Sequence, residues 1–384
     1  MRYFSMPADF KKETIDEYYK LNSKYNDSKV FETYGQVTIG SRVESGRPLD
    51  KLPEISIKNL EEYITYCSER DIKFNYTINA PTIQNREFTQ NGIKDFLRFL
   101  DEIYCAGVRS LTIALPSLIE LVKLTKYNFE IKASAICQIN TVEKAKNFKK
   151  FGVNRIVLDE SLNREFGTMK RIREECGEEV EIIVNSICAK NCSNRIFHYN
   201  QIAADSLADV NEISVDYYAH RCMLKRCENP SNILRLTWIR PEDIKYYEAI
   251  GVNRYKIQGR NSVLKGDPVR TLECYMRGSY DGNLMDLIEL FNNQNSFSPN
   301  IDNKKLDGFI KPFYEKKDFC KNDCGACNYC NNFAQKCMSI QQVSETNKIA
   351  TEFYNEYDKY INLVKKLTND EENNISEENF DFNL

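Results

Sequence analysis

Apolar and polar positions along this chain switch repeatedly between two periods. Stretches with helical spacing, such as "FLRFLDEIYC", "VEKAKNFKK" and "PEDIKYYEA", lead through a glycine into a short apolar, β-branched run. The junction occurs three times, in "AGVRSLTIA" (106 to 114), "FGVNRIVLD" (151 to 159) and "IGVNRYKIQ" (250 to 258). Gly107, Gly152 and Gly251 stand where a helix should stop, and a residue there commonly takes the left-handed conformation that glycine adopts without penalty. Each phrase therefore reads as the return half of a βα unit.

Five further runs have strand character: "KVFETYG" (29 to 35), "IKFNYTIN" (72 to 79), "FEIKASAI" (129 to 136), "VEIIVNSI" (180 to 187) and "ILRLTWI" (233 to 239). With the three repeats they make eight. Buried runs alternating with helices indicate a parallel sheet covered on its outside, and the expected fold is an α/β (β/α)8 TIM-type barrel. A doubly wound open sheet is the alternative, weakened because no glycine-rich phosphate fingerprint follows the first strand. In such barrels the chemistry sits in loops after the strands. The longest, 188 to 232 after the sixth predicted strand, holds four cysteines.

The barrel is expected to occupy residues 1–265, followed by a cysteine-rich, α-helical extension over 266–345 and a C-terminal helix with an acidic, disordered tail over 346–384. The run 343 to 367 has amphipathic spacing and a serine near its start that suits a helix cap. The tail from Asp370 to Leu384 carries six acidic residues and no basic ones.

At 384 residues the chain can bury a large core without disulfides. Its N-terminus, "MRYFSMPADFKKETIDEYYK", is charged and lacks the apolar core of a signal peptide. No stretch approaches the roughly 20 apolar residues of a bilayer span, so a cytoplasmic protein without membrane contact is expected. The formal net charge of −3 gives no global pull toward nucleic acid, although a local basic groove stays possible.

The 14 cysteines change the picture most. In a reducing compartment, clustered thiols more often hold metal than form disulfides. "SICAKNC" supplies Cys188 and Cys192, and "HRCMLKRC" supplies Cys222 and Cys227. Two close pairs separated by a loop can converge four thiolates on zinc or on an iron-sulfur cluster. A second group, "CKNDCGACNYCNNFAQKC", places Cys324, Cys327 and Cys330 in the C-x-x-C-x-x-C spacing of three ligands to a 4Fe-4S cluster, with Cys320 or Cys337 as the fourth. Zinc with four thiolates is the rival there. Cys67, Cys105, Cys176 and Cys274 read as helical core residues, whereas Cys137 follows a strand and could face the barrel mouth.

The run "VEIIVNSICAKNC", the later cysteine pair and "SNILRLTWIRPEDIKYYEAIGVNRYKIQGR", together with "LDESLN" and "YTIN", resemble peptidase family U32, the collagenase-like proteases. The resemblance spans roughly residues 29 to 262. It implies a barrel carrying one 4Fe-4S cluster on Cys188, Cys192, Cys222 and Cys227. It further implies oxygen-independent hydroxylation of RNA bases or of a quinone-precursor ring, in some relatives with prephenate as oxygen source; peptidase activity is the second activity implied. Two departures stand out: Asn185 and Ser186 where the family usually has His-Gly, and Gln258 where it usually has glutamate.

Asn79, Glu160, Asn185, Lys256, Gln258 and Arg260 fall at or just beyond strand ends on the expected active face. Glu160, Lys256 and Arg260 are the candidates for catalysis, and Asn79, Asn185 and Gln258 for substrate binding. Lys256 and Arg260 suit an anionic group, which arginine can grip through two parallel bonds. His198 and His220 read as loop histidines that could shuttle protons. No Ser-His-Asp or H-E-x-x-H arrangement is present to support hydrolysis. The expected activity is an iron-sulfur-dependent redox modification of a nucleobase, aromatic ring or peptide side chain. The implied partners are a small-molecule, peptide or RNA substrate and an electron donor or partner enzyme. The alternatives are a collagenase-like peptidase and a non-catalytic iron-sulfur subunit.

Overall fold

The structure is a computed structural model. It describes residues 1–204, 206, 217–292 and 299–356, with single positions 358, 362, 365 and 366 beyond them. The acidic tail from Asp370 lies outside the described residues.

Eight parallel strands close a barrel in chain order. They are β1 (Arg2–Pro7), β2 (Ser28–Gly35), β3 (Lys73–Ile78), β4 (Ser110–Ile113), β5 (Glu130–Ala133), β6 (Arg155–Val157), β7 (Val180–Ile183) and β8 (Arg254–Lys256). The crossover helices are α1 (Lys12–Lys24), α2 (Ile57–Ser68), α3 (Gln90–Cys105), α4 (Pro116–Lys123), α5 (Val142–Lys150) and α6 (Phe166–Cys176). The excursion from β7 to β8 carries α7 (Arg195–Ala204), α8 (Tyr217–Cys227), α9 (Ser231–Leu234) and α10 (Ile244–Glu248). After β8 come α11 (Pro268–Arg277), α12 (Leu284–Ile288), α13 (Lys311–Glu315), α14 (Tyr329–Cys337) and α15 (Ile340–Glu356). The repeated glycines behave as expected: φ is +95° at Gly107, +83° at Gly152 and +82° at Gly251.

The count of eight strands holds, yet two assignments change. The first strand is Arg2–Pro7, which the charged N-terminal stretch did not suggest. It owes its conformation to partners on both sides, Tyr3 pairing with Lys29 of β2 and with Arg254 of β8. The run 233 to 239 is not a strand of the barrel. Ile233 and Leu234 end α9, and the remainder lies against the chain leaving β7 through an antiparallel bridge between Leu236 and Ala189. The N–H groups of Thr237 and Ile239 donate to the carbonyls of Cys188 and Val184, at 3.2 and 2.7 Å. Its apolar residues are spent on packing instead: Trp238 stacks on Phe309 at 5.6 Å. The cysteine-bearing loop therefore follows the seventh strand, not the sixth.

The barrel interior is charged, which apolar strand patterns did not foretell. Lys132 of β5 bonds Glu32 of β2 and, at 3.0 Å, Glu181 of β7. These strands are not neighbours, so the bonds cross the barrel. Arg155 reaches Glu32 at 2.9 Å, and Ser5 donates to the same carboxylate at 2.6 Å. Burial alone would raise the Glu32 pKa, but Lys132 and Arg155 overcome it and hold the carboxyl well below its ordinary value.

The apolar core runs without a break from the barrel into the C-terminal segment, through Leu272, Tyr275, Leu284, Phe309 and Val343. Buried Arg240 ties the two by bonding Asp243 and the carbonyl of Asn303. Helix α15 begins earlier than its expected serine cap. Ser339, rather than Ser344, accepts from the N–H of Gln342 at 3.4 Å. No helix among the described residues is long and apolar enough to cross a membrane.

Candidate active site

The mouth of the barrel, at the strands' C-terminal ends, forms a small pocket of about 50 Å³. Asn79, Glu160, Lys256, Gln258 and Arg260 all line it. Parallel strands ending at one level bring these residues together although up to 181 positions separate them, as between Arg260 and Asn79. Arg260 is buried, and among the described residues its guanidinium bonds only neutral oxygens, those of Gln36, Thr77 at 2.9 Å and Asn79 at 3.2 Å. Asn79 Oδ1 also accepts from the Gly46 N–H at 3.0 Å, which fixes the loop carrying Arg47. The Nζ of Lys256 lies 3.8 Å from the Tyr34 ring centroid. Burial, reinforced by Lys132, pulls its pKa down to about 7.

Glu160 stands in the turn after β6. Burial raises its pKa, Arg195 opposes the rise, and Asp159 adds to it. Its Oε2 has no hydrogen-bond partner among the described residues. Asn185 belongs to the site's frame rather than to the pocket lining. It is fully buried, donates to the carbonyl of Gln258 at 2.9 Å, and accepts from the Gln258 N–H at 2.7 Å. It thereby clamps the ends of β7 and β8.

Tyr34, Arg47, Thr77, Ser134 and Tyr199 also line the pocket and escaped the sequence reading. Tyr34 and Thr77 sit at strand ends, so the rule that barrel chemistry follows the strands could have found them. Arg47 and Tyr199 come from long excursions with no local signal.

A second, larger cavity of about 550 Å³ adjoins the first. Cys188, Cys192 and Cys222 line it, together with Cys320, Cys324 and Cys330 from the C-terminal segment. Cys227, five residues after Cys222 in α8, is buried and does not line this cavity. His198 of α7 lines this cavity, while His220 lies in α8, 5.3 Å from the ring of Tyr354; both are helical rather than in loops. Cys337 is elsewhere: it packs in the apolar core, and burial pushes its pKa up to about 11. Cys137 turns from the barrel mouth, its thiol 3.2 Å from the carbonyl oxygen of Ala114.

The cysteine cavity is rich in cations. Arg164, Arg195, Arg226 and Arg235 line it, and in each the buried Nε has no hydrogen-bond acceptor among the described residues. Arg226 donates through Nη2 to the Cys222 sulfur at 3.2 Å. Soft sulfur donors, enclosure and unpaired guanidinium N–H groups suit an anionic thiolate-bound centre. Among the described residues no three metal-binding side chains are gathered at one point, so the expected convergence of the cysteine pairs is not seen and the thiols surround the cavity.

Tyr199 lines both cavities. Arg195 follows the first cysteine pair and bonds Asp159, the neighbour of Glu160. The two sites thus share a wall.

The sequence profile of peptidase family U32 matches residues 36–206, a span containing Arg47, Asn79, Glu160, Cys188, Cys192 and Tyr199. An uncharacterized protease from Methanocaldococcus jannaschii is 30% identical over 342 residues, covering 88% of this chain and 98% of that protein. The chain belongs to peptidase family U32. Among solved structures, a U32 peptidase is similar to this U32 chain at 18% identity and a TM-score of 0.48, covering 67% of this chain and 91% of that one. A D-psicose 3-epimerase from Clostridium cellulolyticum gives 13% identity and a TM-score of 0.32, covering 56% and 82%.

Proposed function

We propose that this U32 protein is an iron-sulfur enzyme that modifies a small anionic organic substrate at the barrel mouth, with a 4Fe-4S cluster held by Cys188, Cys192, Cys222 and Cys227. The observation that carries the reading is the shared wall: Tyr199 borders both the cysteine cavity and the pocket of Lys256 and Arg260. When bound, the cluster would supply Lewis acidity or electrons beside the substrate.

The chain's own residues account for the rest. Lys256 and Arg260 are buried cations that form no ion pair among the described residues, and an anionic group on the substrate would satisfy both. Asn79 and Gln36 orient the Arg260 fork. Glu160, with its raised pKa and an Oε2 that takes no hydrogen bond among the described residues, would hold or release a proton at the substrate. The reaction that fits is oxygen-independent hydroxylation, in which C–H becomes C–OH and an oxygenated organic acid gives up its hydroxyl and leaves with the hydrogen. Atoms and electrons balance without O2.

A pocket of about 50 Å³ has room for a small acid group or a few waters, not for an extended peptide. The decisive experiment is iron and sulfide analysis, with an absorption spectrum, on protein purified without oxygen, beside the Cys188→Ala variant. The reading expects the variant to lose about four irons per chain and its turnover. Iron-free protein that cleaves peptides would restore the peptidase reading instead.

A further inference from the structure

The reading above uses four cysteines and leaves the C-terminal group unexplained. Cys320 and Cys330 are half-buried, while Cys324 and Cys327 are exposed between them. Cys320, Cys324 and Cys330 face the same cavity as the barrel cysteines, although more than 90 residues separate Cys330 from Cys227. The segment is docked there by an aromatic cluster: Phe319 meets Phe313 and Tyr329 edge to face at 5.0 Å each, and the Tyr329 hydroxyl donates to the Phe309 carbonyl at 2.9 Å.

Two barrel arginines reach this group. Arg164 is buried over the rings of Phe309, at 4.9 Å, and Trp238, at 5.0 Å, with one bond, to the Leu236 carbonyl at 2.7 Å. Its Nε and that of Arg235 are buried without acceptors among the described residues. A buried guanidinium without a carboxylate partner is costly, and thiolates carrying a metal would offset that cost.

We propose that Cys320, Cys324, Cys327 and Cys330 bind a second iron-sulfur cluster, placed in the same chamber as the barrel cysteines and facing Arg164 and Arg235. The spacing of Cys324, Cys327 and Cys330 is that of three cluster ligands, and the fold selects Cys320 over Cys337 as the fourth. The proposal rests on the enzyme reading only in placing the first cluster next door; its ligands are independent.

The test uses the full chain, purified anaerobically, with iron, sulfide and zinc counted per chain. Wild type is expected to hold about eight irons, and Cys324→Ala/Cys330→Ala and Cys188→Ala/Cys192→Ala about four each. In reduced wild type the two centres, sharing one chamber, should give a broadened, spin-coupled electron paramagnetic resonance signal that simplifies in either double variant. Unchanged iron in the C-terminal double variant, or loss of zinc in place of iron, overturns the second cluster and leaves the barrel cluster standing. Unchanged iron in the barrel double variant instead defeats the enzyme reading alone. If the C-terminal variant fails to fold, a simple uncoupled spectrum with about four irons in wild type is sufficient to reject the proposal.

Discussion

Glu160 Oε2 lies 3.8 Å from Nη1 of Arg195, in the wall between the barrel mouth and the cysteine cavity. The same guanidinium bonds Asp159 and the carbonyl of Ala189, so it holds two adjacent acids and the cysteine loop together. Arg195→Met leaves Asp159 buried without a counter-charge. The expected loss is about 3–5 kcal/mol of unfolding free energy, read by urea titration. A loss under about 1 kcal/mol would mean the acid pair is neutralised by something else.

Glu160→Gln keeps the shape of the wall and removes the proton carrier. Turnover should fall by about 10²- to 10⁴-fold while iron content and melting temperature stay near wild type. Loss of iron in this variant would instead make Glu160 a support for the cysteine loop.

The charged layer inside the barrel governs acid stability. Glu32 titrates below its unfolded value because Lys132 and Arg155 outweigh the cost of burial, so its contribution is fully present above about pH 4.5 and is lost as pH falls through the depressed folded value. Wild type should therefore lose stability steeply below about pH 4, and Glu32→Gln should flatten that dependence while costing about 3–5 kcal/mol at pH 7. Unfolding curves of both proteins between acid and neutral pH decide the matter.

Lys256 runs the opposite way. Its folded pKa of about 7 is below the ordinary 10.5, so the folded chain sheds this proton before the unfolded chain does. Stability from this group therefore rises with pH between those values and is at its lowest below pH 7. Anion binding needs the charged amine, so calorimetric affinity for malonate should fall by up to about tenfold per pH unit above pH 7. Lys256→Met should abolish the binding and leave the melting temperature equal or higher, as expected when an unpaired buried charge is removed. Unchanged malonate affinity in Lys256→Met would detach the lysine from the site.

Cys337 separates packing from ligation. Cys337→Ala should cost about 1 kcal/mol of stability through lost packing and leave the metal content intact, whereas Cys188→Ala should do the reverse. Metal loss from Cys337→Ala would return it to the list of candidate ligands.

Much of the barrel was legible because its signals are local. Helical spacing, a glycine in left-handed conformation at 107, 152 and 251, and a β-branched run are properties of neighbouring residues. The rule that chemistry follows strand ends then pointed to Asn79, Glu160, Lys256, Gln258 and Arg260, which do line one pocket. Strand Arg2–Pro7 was not legible, since what makes it a strand is hydrogen bonding to β2 and β8, and the misread run 233 to 239 is apolar because Trp238 packs on Phe309.

By itself, then, the sequence determined the alternating architecture, the number of units and the types of chemical group available. Tertiary structure decided which groups meet. Closure of the barrel drew Lys132, Glu32 and Glu181 into one interior network and set Arg47 and Tyr199 at its mouth. Docking of the C-terminal segment brought Cys320, Cys324 and Cys330 into one cavity with Cys188, Cys192 and Cys222 and left Cys337 in the core. Spacing along the chain constrains only short-range geometry; contacts between distant segments depend on how whole elements pack, and no local pattern encodes that.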